Sequence, residues 1–553
     1  MSLGFQRLIW LCLALSCATP VAAQVRLDRA DPTITVQTLP TPTQDSAADR
    51  AAPTLSAPDA VSRSQQRNPT VIPSAIVVDG GVALSPPDFA RVVVDFVGRP
   101  LESADLSKLA GAVASLARSA GYPFATATIA PQPLTDGVLH VTLDEGRIDA
   151  VRVIGAINPQ ADRILTHALV SSRPLRLDML ERAIALVGDL PGVTVKESRF
   201  TRQDGFGILL VTIAQDRLTA YAQADNRGNS EVGPVRSTVL ASARSVLASG
   251  DELSVLLSQT PLQPAEFFFV RTRYSAPVDA RGSVVSASAS YGRAHPGASL
   301  LPLNVIGHSY DAAVTVTTPL VRTRQKALNA SLEFRGIRSE QSLRGIQLRD
   351  DRLATLTASL GGVTPLAGGI VRGDVSLTAG LPLPGVSEEG FGQLSRVDGD
   401  ARFLTIGYFL DWVARLDRKF SFSFSSTGQL ASRPLLATAE IGLGGPAFGR
   451  GYDNSERTGD NGILGAAEFR ADLGRVVPGA VDRLQLYGFV DGGYVTNLRG
   501  GLGGGALASS GGGARIGTGK FDAMIEVAQP LNAPRFDTGD KRPRVTVRVS
   551  RGF

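Results

Sequence analysis

The chain has 553 residues, 59 of them glycine and only 19% charged, with a formal net charge of +5. So slight an excess of positive charge, part of it in the amino-terminal stretch, gives no case for a nucleic-acid surface. Beyond residue 23 no run of ~18 apolar residues occurs, which excludes a helical membrane protein. Yet the glycine content and a mean hydropathy just above zero are unusual for a soluble chain of this size, and a transmembrane β-barrel, whose strands are short and alternating, satisfies both observations.

Residues 1–23 carry Arg7, an apolar run from Leu8 to Ala18 and a small-residue site at Val21-Ala22-Ala23, the pattern of a secretory signal peptide. Cys12 and Cys17 both lie inside it, so the mature chain has no thiol and no disulfide framework. A lipoprotein site at Ala14-Leu15-Ser16-Cys17 is the weaker alternative, with Ala in place of Leu three residues before the cysteine. Residues 24–73 are rich in Pro, Ala, Thr, Ser and Gln without apolar periodicity and read as a linker.

From residue 74 to 216 the pattern becomes globular, twice over. The first unit, 74–147, reads as strand Ala75 to Asp79, helices Pro87 to Val97 and Ser103 to Ala120, then strands Phe124 to Ile129 and Gly137 to Glu145. Leu106, Leu109, Ala110, Val113, Leu116 and Ala117 form one apolar stripe on the second helix, Ser103 and Asp105 supply its cap, and Gly121 stops it. The second unit, 148–216, repeats the order with strand Ile148 to Ile154, helices Ala161 to Val170 and Leu177 to Val187, and strands Val193 to Thr201 and Gly207 to Ile213. Two tandem α+β modules follow from this repeat.

Residues 217–553 hold no convincing helix and many strict alternations. Val285, Ala287, Ala289 and Tyr291 oppose Ser286, Ser288 and Ser290; Phe420, Phe422 and Phe424 alternate with serines; Val545, Val547 and Val549 alternate with Arg544, Thr546, Arg548 and Ser550. A soluble sandwich also alternates, so the connections decide. Short links alternate with long ones, the long ones near 226–233, 260–265, 293–307, 336–349, 382–400, 432–461, 497–508 and 532–541. Short turns at one end and long loops at the other are what an outer-membrane barrel of about 16 antiparallel strands requires.

On residues 484–494, alternation sends Gln485, Tyr487, Phe489 and Asp491 to the lumen; on the strand before, Glu468, Arg470 and Asp472 face the same way. Asp491 is then an inward carboxylate that needs a partner or water. Arg450 lies in the longest loop between Gly449 and Gly451, which let the backbone turn tightly and approach a wall. We expect this loop to fold into the lumen and Arg450 to pair with Asp491, with geometry suited to a bidentate fork. From the residues alone, a solvent-exposed arginine and a lumen carboxylate that never meet stays open.

Gly449-Arg450-Gly451-Tyr452 resembles the loop-six signature of the superfamily of POTRA-plus-barrel outer-membrane translocases, and Phe489-x-Asp491-x-Gly493 resembles its partner motif. Arg118-Ser119-Ala120-Gly121-Tyr122, Pro131-Gln132-Pro133-Leu134, Asp136-Gly137-Val138-Leu139 and Glu145-Gly146-Arg147-Ile148 resemble the ShlB/FhaC type of POTRA; Asp225-Asn226-Arg227-Gly228 is similar to that family's first barrel hairpin. The resemblance is to two-partner secretion transporters (TpsB; ShlB/FhaC/HecB type) and covers roughly residues 75–553, in motif order. It implies an all-β membrane barrel preceded by two periplasmic α+β POTRA modules, with loop six at about 432–461 held by Arg450 and Asp491.

It further implies a non-enzymatic exporter in the outer membrane of a Gram-negative bacterium. The modules would capture a large unfolded exoprotein (TpsA type, of the haemolysin or adhesin kind) by adding a strand to a sheet edge such as Phe124, Ala125, Thr126, Ala127, Thr128 and Ile129. Other implied partners are the barrel-assembly machinery, which would read Phe553 as a terminal signal, and outer-membrane lipid and lipopolysaccharide; no nucleic acid, cofactor or metal is implied. Two other functions stay open: an assembly factor that inserts other barrels, which usually carries three or more POTRA units, and a passive porin, which needs none. The chain departs from the family at Gly449, where Val or Ile is preferred, and in an amino-terminal arm too rich in proline for a long plug helix.

Three decoys are set aside. Gly307-His308-Ser309-Tyr310-Asp311 mimics a nucleophile elbow in a loop off any α/β sheet. Residues 514–521 mimic a phosphate loop with Ala for its first glycine and Phe for Ser/Thr, and read as a hairpin. His140, His167, His295 and His308 have no zinc spacing.

Overall fold

The computed structural model describes residues 32, 54–56, 70–170, 174–203, 206–390 and 392–553. The expected signal peptide lies outside them, as does most of the linker.

The first module packs α1 (Pro86–Val93) and α2 (Ser103–Ser119) on a sheet of β2 (Ala75–Asp79), β4 (Val138–Asp144) and β3 (Thr126–Thr128), in that order, with β3 at the edge. Of the expected stripe, Leu106, Leu109, Ala110, Val113 and Ala117 are buried against Leu139, Val141 and Leu143 of β4, joined by Ala114, while Leu116 is only partly buried beside them. The cap of α2 falls one residue earlier than expected. Ser103 is the first helical residue, and Asp105 accepts the N–H of Glu102 at 3.4 Å.

The second module repeats the plan with α3 (Pro159–Leu169) and α4 (Leu177–Gly188) on β5 (Ala150–Ile154), β6 (Val193–Gln203) and β7 (Phe206–Gln215). Its β6 edge is covered in parallel by β1 (Thr54–Ser56) from the linker. Phe124 of the first module enters the second module's core and stacks on Phe200, centroids 3.9 Å apart. The two units therefore share apolar surface.

The rest is a closed antiparallel barrel. Its first strands are β8 (Leu218–Asp225), β9 (Arg236–Arg244), β10 (Glu252–Gln259), β11 (Phe267–Pro277), β12 (Val284–Ala294), β13 (Val305–Arg322), β14 (Ala327–Leu343) and β15 (Ile346–Leu366). Then come β16 (Gly369–Gly380), β17 (Leu404–Arg415) and β18 (Phe420–Ala431). After a small hairpin of β19 (Ile441–Leu443) and β20 (Arg457–Gly459), the wall resumes with β21 (Asn461–Gly474), β22 (Arg483–Thr496), β23 (Gly505–Thr518), β24 (Phe521–Pro530) and β25 (Arg544–Gly552), which closes on β8. Leaving out β19 and β20, which pair only with each other, the wall has 16 strands.

The pleat sorts side chains as the alternation predicts. Val545, Val547 and Val549 stand exposed on the outside while Thr546 and Ser550 are buried within, and Phe424 is outside while Ser423 is buried. One expected long loop is absent: β14 and β15 run on through 336–349 and turn on Arg344 and Gly345, both with positive φ (51° and 81°). Two successive residues with positive φ make the tight hairpin whose twist suits long strands. Residues 307–311 likewise lie within β13, not in a loop.

The second module docks on the short-turn end. Arg322 at the end of β13 forks onto Asp189 (2.6 and 2.8 Å), Arg182 donates to Pro319 and Leu320 carbonyls, and Gln160 donates to Asp279 O. In the lumen, Pro32 is helical and buried, its ring 3.0 Å from where a Cβ on Gly292 or Gly307 would stand. The proline-rich arm thus places Pro32 in the pore; the rest of the stretch on which the plug-helix expectation falls lies outside the described residues.

Candidate functional site

Loop six leaves β18 and returns at β21. Within it Gly444, Gly445 and Gly449 take φ of +114°, +103° and +79°, and the N–H of Tyr452 donates to Gly449 O at 2.9 Å. A β-branched residue at position 449 would be strained at that φ, and its Cβ would stand 3.2 Å from Gly444 Cα. The departure from the Val or Ile of the resembled motif therefore suits this backbone. Gly451 is needed for a different reason: its Cβ would press at 3.0 Å on Pro530 N and Ser509 Cβ, and its N–H donates to Ser509 Oγ at 3.1 Å.

Between these glycines Arg450 turns into the lumen and meets three carboxylates from three strands. Its Nη1 donates to Glu468 (2.8 Å, β21) and Glu526 (3.2 Å, β24); its Nε lies 3.2 Å from Asp491 Oδ2 (β22) but out of line for a hydrogen bond. Asp491 instead accepts the backbone N–H of Arg450, 3.3 Å from each oxygen, and the hydroxyl of Ser509. The structure brings Arg450 to Asp491, though the bidentate fork is not formed. The wall strands present the carboxylates at different register heights, and the guanidinium spreads over all three.

The acids are themselves shared. Glu468 accepts from Arg470 (2.7 Å) and lies 2.9 Å from Arg515; Glu526 accepts from Tyr487 (2.9 Å) and lies 3.5 Å from Arg227. Side-chain exposure is 0% for Asp491, 3% for Glu468 and Glu526 and 11% for Arg450, so each charge depends on its neighbours for compensation.

Two rings floor this network. Arg450 lies 4.1 Å from the centroid of Phe489, and Arg515 lies 3.9 Å from that of Tyr487. The rings lie flat because β23 has glycines opposite them. A Cβ on Gly511 would meet Phe489 at 2.8 Å, and one on Gly513 would meet Tyr487 at 2.6 Å. Gly493 has a related role, since a Cβ there would stand 2.6 Å from Ile463 O on the neighbouring strand.

Tyr452 is fully buried among Leu443, Leu464, Val495 and Leu507. Its hydroxyl lies 3.2 Å from Ala508 O and 3.0 Å from Asn532 Oδ1, and it accepts the N–H of Ala533. Sequence parity pointed to Glu468 and Tyr487 as lumenal without giving them a part in the site. It missed Glu526, Ser509 and Arg515, each of which sits on an alternating strand and so carried a readable signal.

The other expected residues lie elsewhere. Of Phe124 to Ile129 only Thr126 to Thr128 form strand, and Phe124, Ala125, Ala127 and Ile129 are buried in module cores. Thr126 and Thr128 carry the side chains that face outward, and among the described residues β3 pairs only with β4. Phe553 is exposed at the short-turn rim, its N–H donating to Ala220 O at 2.9 Å. His140 pairs with Asp79, His295 with Asn304 and His308 with Tyr291, and the described residues hold no cluster of three or more His, Cys, Asp or Glu suited to a metal.

A closed barrel, α+β modules at its short-turn end, and a long loop drawn into the lumen by a buried arginine together define a POTRA-plus-barrel translocase of the outer membrane. Comparison with known proteins specifies the family. Residues 207–516 match the model "Haemolysin secretion/activation protein ShlB/FhaC/HecB", and residues 71–146 match "POTRA domain, ShlB-type". The chain belongs to the ShlB/FhaC/HecB family.

Among curated relatives, the heme/hemopexin transporter protein HuxB of Haemophilus influenzae is 24% identical over 390 residues, 69% of each chain. The outer membrane transporter CdiB of Escherichia coli O6:K15:H31 is 26% identical over 255 residues, 45% of this chain and 41% of that one. Among solved structures, CdiB from Escherichia coli superimposes with a TM-score of 0.73 at 19% identity over 97% of this chain and 99% of that one. BamA from Haemophilus ducreyi lacking POTRA domains 1–3 gives 0.53 at 13% identity over 88% and 100%. At these identities the structural likenesses speak for the fold alone. The long-loop end is extracellular and the modules are periplasmic.

Proposed function

We propose that this translocase exports one large, unfolded exoprotein to the cell surface by two-partner secretion. The observation that carries the reading is the occupied lumen: loop six turns into it and is anchored by Arg450 on three wall strands, an arrangement a passive porin does not need. Two periplasmic modules and a ShlB-type POTRA match favour export over insertion of other barrels. In this reading cargo adds a strand at Thr126 to Thr128, passes through the barrel without ATP, and is drawn outward by folding outside. Displacement of loop six opens the path, so Gly449, Arg450, Gly451 and Tyr452 with Phe489, Asp491 and Gly493 are conformational machinery. Phe553 is the terminal signal read during assembly.

The test is secretion of a candidate exoprotein co-expressed with this chain, assayed in the medium with Arg450 intact and with Arg450→Ala. Export that is lost in the variant while the barrel remains folded supports the reading. Export unchanged in the variant refutes the part given to loop six, and export of no candidate with a folded parent, together with impaired insertion of other barrels in its absence, favours the assembly factor.

A further inference from the structure

The barrel closes where β25 meets β8, and this seam has the shortest ladder of its neighbourhood. Five residue pairs join the two strands, Arg548 opposite Asp225 through Gly552 opposite Tyr221, against eight pairs between β24 and β25 and eight between β8 and β9. The pairs lie toward the periplasmic side. Above them one further backbone bond forms, and then a side chain takes over.

Asn226 continues the ladder. Its carboxamide donates to Val545 O at 3.0 Å and accepts the N–H of Val547 at 2.8 Å, while its own backbone N–H donates to Val547 O at 3.2 Å. A carboxamide has one acceptor and a donor spaced as in a peptide unit, so Asn226 replaces a residue that β8 lacks. Arg544 at the start of β25 supplies a second tie. One nitrogen donates to Tyr452 O (2.8 Å) and Asp453 Oδ1 (2.6 Å) of loop six, and another donates to Gly228 O (3.2 Å) of the β8–β9 loop. Asp453 is 2% exposed and Arg544 11%. Gly228 can hold this place only as glycine, because a Cβ would stand 1.9 Å from Gly233 O. Arg227 between them reaches Glu526, one of the carboxylates that holds Arg450.

Every residue from Asp225 to Gly228 is therefore spent on one junction: Asp225 accepts the N–H of Arg227 at 3.0 Å, Asn226 zips the seam, Arg227 reaches the loop-six network, and Gly228 receives Arg544. We propose that Asn226 and Arg544 are positioning residues of the translocase, joining the β8–β25 seam to loop six so that loosening either loosens the other. This rests on the reading of loop six as the element that moves during translocation.

The experiment is hydrogen–deuterium exchange of the full chain in lipid, without cargo, comparing parent, Asn226→Ala, Arg544→Ala, Arg544→Lys and Asp453→Asn. Loop displacement is read in parallel as maleimide labelling of a cysteine placed at Ser455, which is 4% exposed. Removing one charge-assisted hydrogen bond should raise exchange at Arg548 to Gly552 by about tenfold while β13 and β14 stay unchanged. Asp453→Asn, which lies outside the seam, should raise seam exchange, and Asn226→Ala, which touches no loop-six atom, should raise Ser455→Cys labelling. The charge exchange Arg544→Asp with Asp453→Arg should recover part of both. Seam exchange equal to the parent in Asn226→Ala and Arg544→Ala overturns the proposal, as does a loosened seam with unchanged labelling. Should Arg544→Ala fail to assemble, Arg544→Lys and Asp453→Asn give the same two readouts. Because no cargo is present, failure here is separable from failure of the export reading, which the secretion assay decides.

Discussion

Replacing Arg450 by alanine removes the cation that Asp491, Glu468 and Glu526 face from inside a wall where their side chains are 0%, 3% and 3% exposed. Breaking a buried ion pair by removing one partner costs about 3–5 kcal/mol, because the remaining charge is left uncompensated. Glu468 keeps Arg470 and Arg515, and Glu526 keeps Arg227 and the Tyr487 hydroxyl, so the loss falls chiefly on Asp491 and the low end of that range applies. At 1.4 kcal/mol per factor of ten, about 3 kcal/mol shifts the ratio of seated to displaced loop six by roughly a hundredfold. Both native cysteines, Cys12 and Cys17, lie in the expected signal peptide, so a cysteine at Ser455 is a single reporter of displacement in the mature chain. Its labelling by an impermeant maleimide in intact cells should rise by about two orders of magnitude in Arg450→Ala and by about one in Arg450→Lys, which keeps charge and loses the planar fork. Labelling unchanged in Arg450→Ala, with the barrel shown folded by its shifted gel mobility, would refute the energetic argument.

Gly449→Val forces a β-branched residue to φ +79° at a cost of about 1–2 kcal/mol, so it should raise Ser455→Cys labelling about tenfold; a fall would show that the Val of the related motif seats the loop better. Asp189→Asn weakens a forked ion pair whose carboxylate is 37% exposed, so we expect at most about 1 kcal/mol, seen as broadened spin-label distances between the second module and the barrel with barrel stability unchanged. A photo-crosslinker at Thr128 should capture an exported partner, and one at buried Ala127 should not; equal yields would disprove strand addition at β3. In the first module the Ser85 hydroxyl and then its N–H hold Asp88 below its ordinary pKa of 3.8, and the Glu102 N–H followed by Lys108 do the same for Asp105. Depressed carboxylate values add stability above about pH 4 that is lost as pH falls through the folded values. Protection of α1 and α2 against hydrogen exchange, corrected for intrinsic rates, should therefore stay constant from pH 7 to about 4.5 and decline below, and Asp88→Asn with Asp105→Asn should flatten the decline.

Much of the fold was legible because its signals are local. The period of two along residues 484–494 places Asp491 and Phe489 inward whatever the strand's neighbours, and the stripe on residues 106–117 marks a buried helix face. The turn inside 336–349 is not legible in the sequence because Arg344 takes a positive φ that arginine rarely adopts, which hides a two-residue turn in a polar stretch. Glu526 and Ser509 were missed for another reason: parity shows that they face inward but not at what height, and height depends on strand stagger.

The amino-acid sequence by itself determined which side chains face the lumen, which helix face is buried, and that Gly449 frees loop six to turn, since each depends on a residue and its near neighbours. Only the tertiary structure decided that Arg450 would spread over three carboxylates, that Gly511 and Gly513 would make room for two rings, and that Asn226 would pair with Val547, 321 positions away. Closure and register of a barrel are summed over every strand in turn, and no local pattern carries that sum.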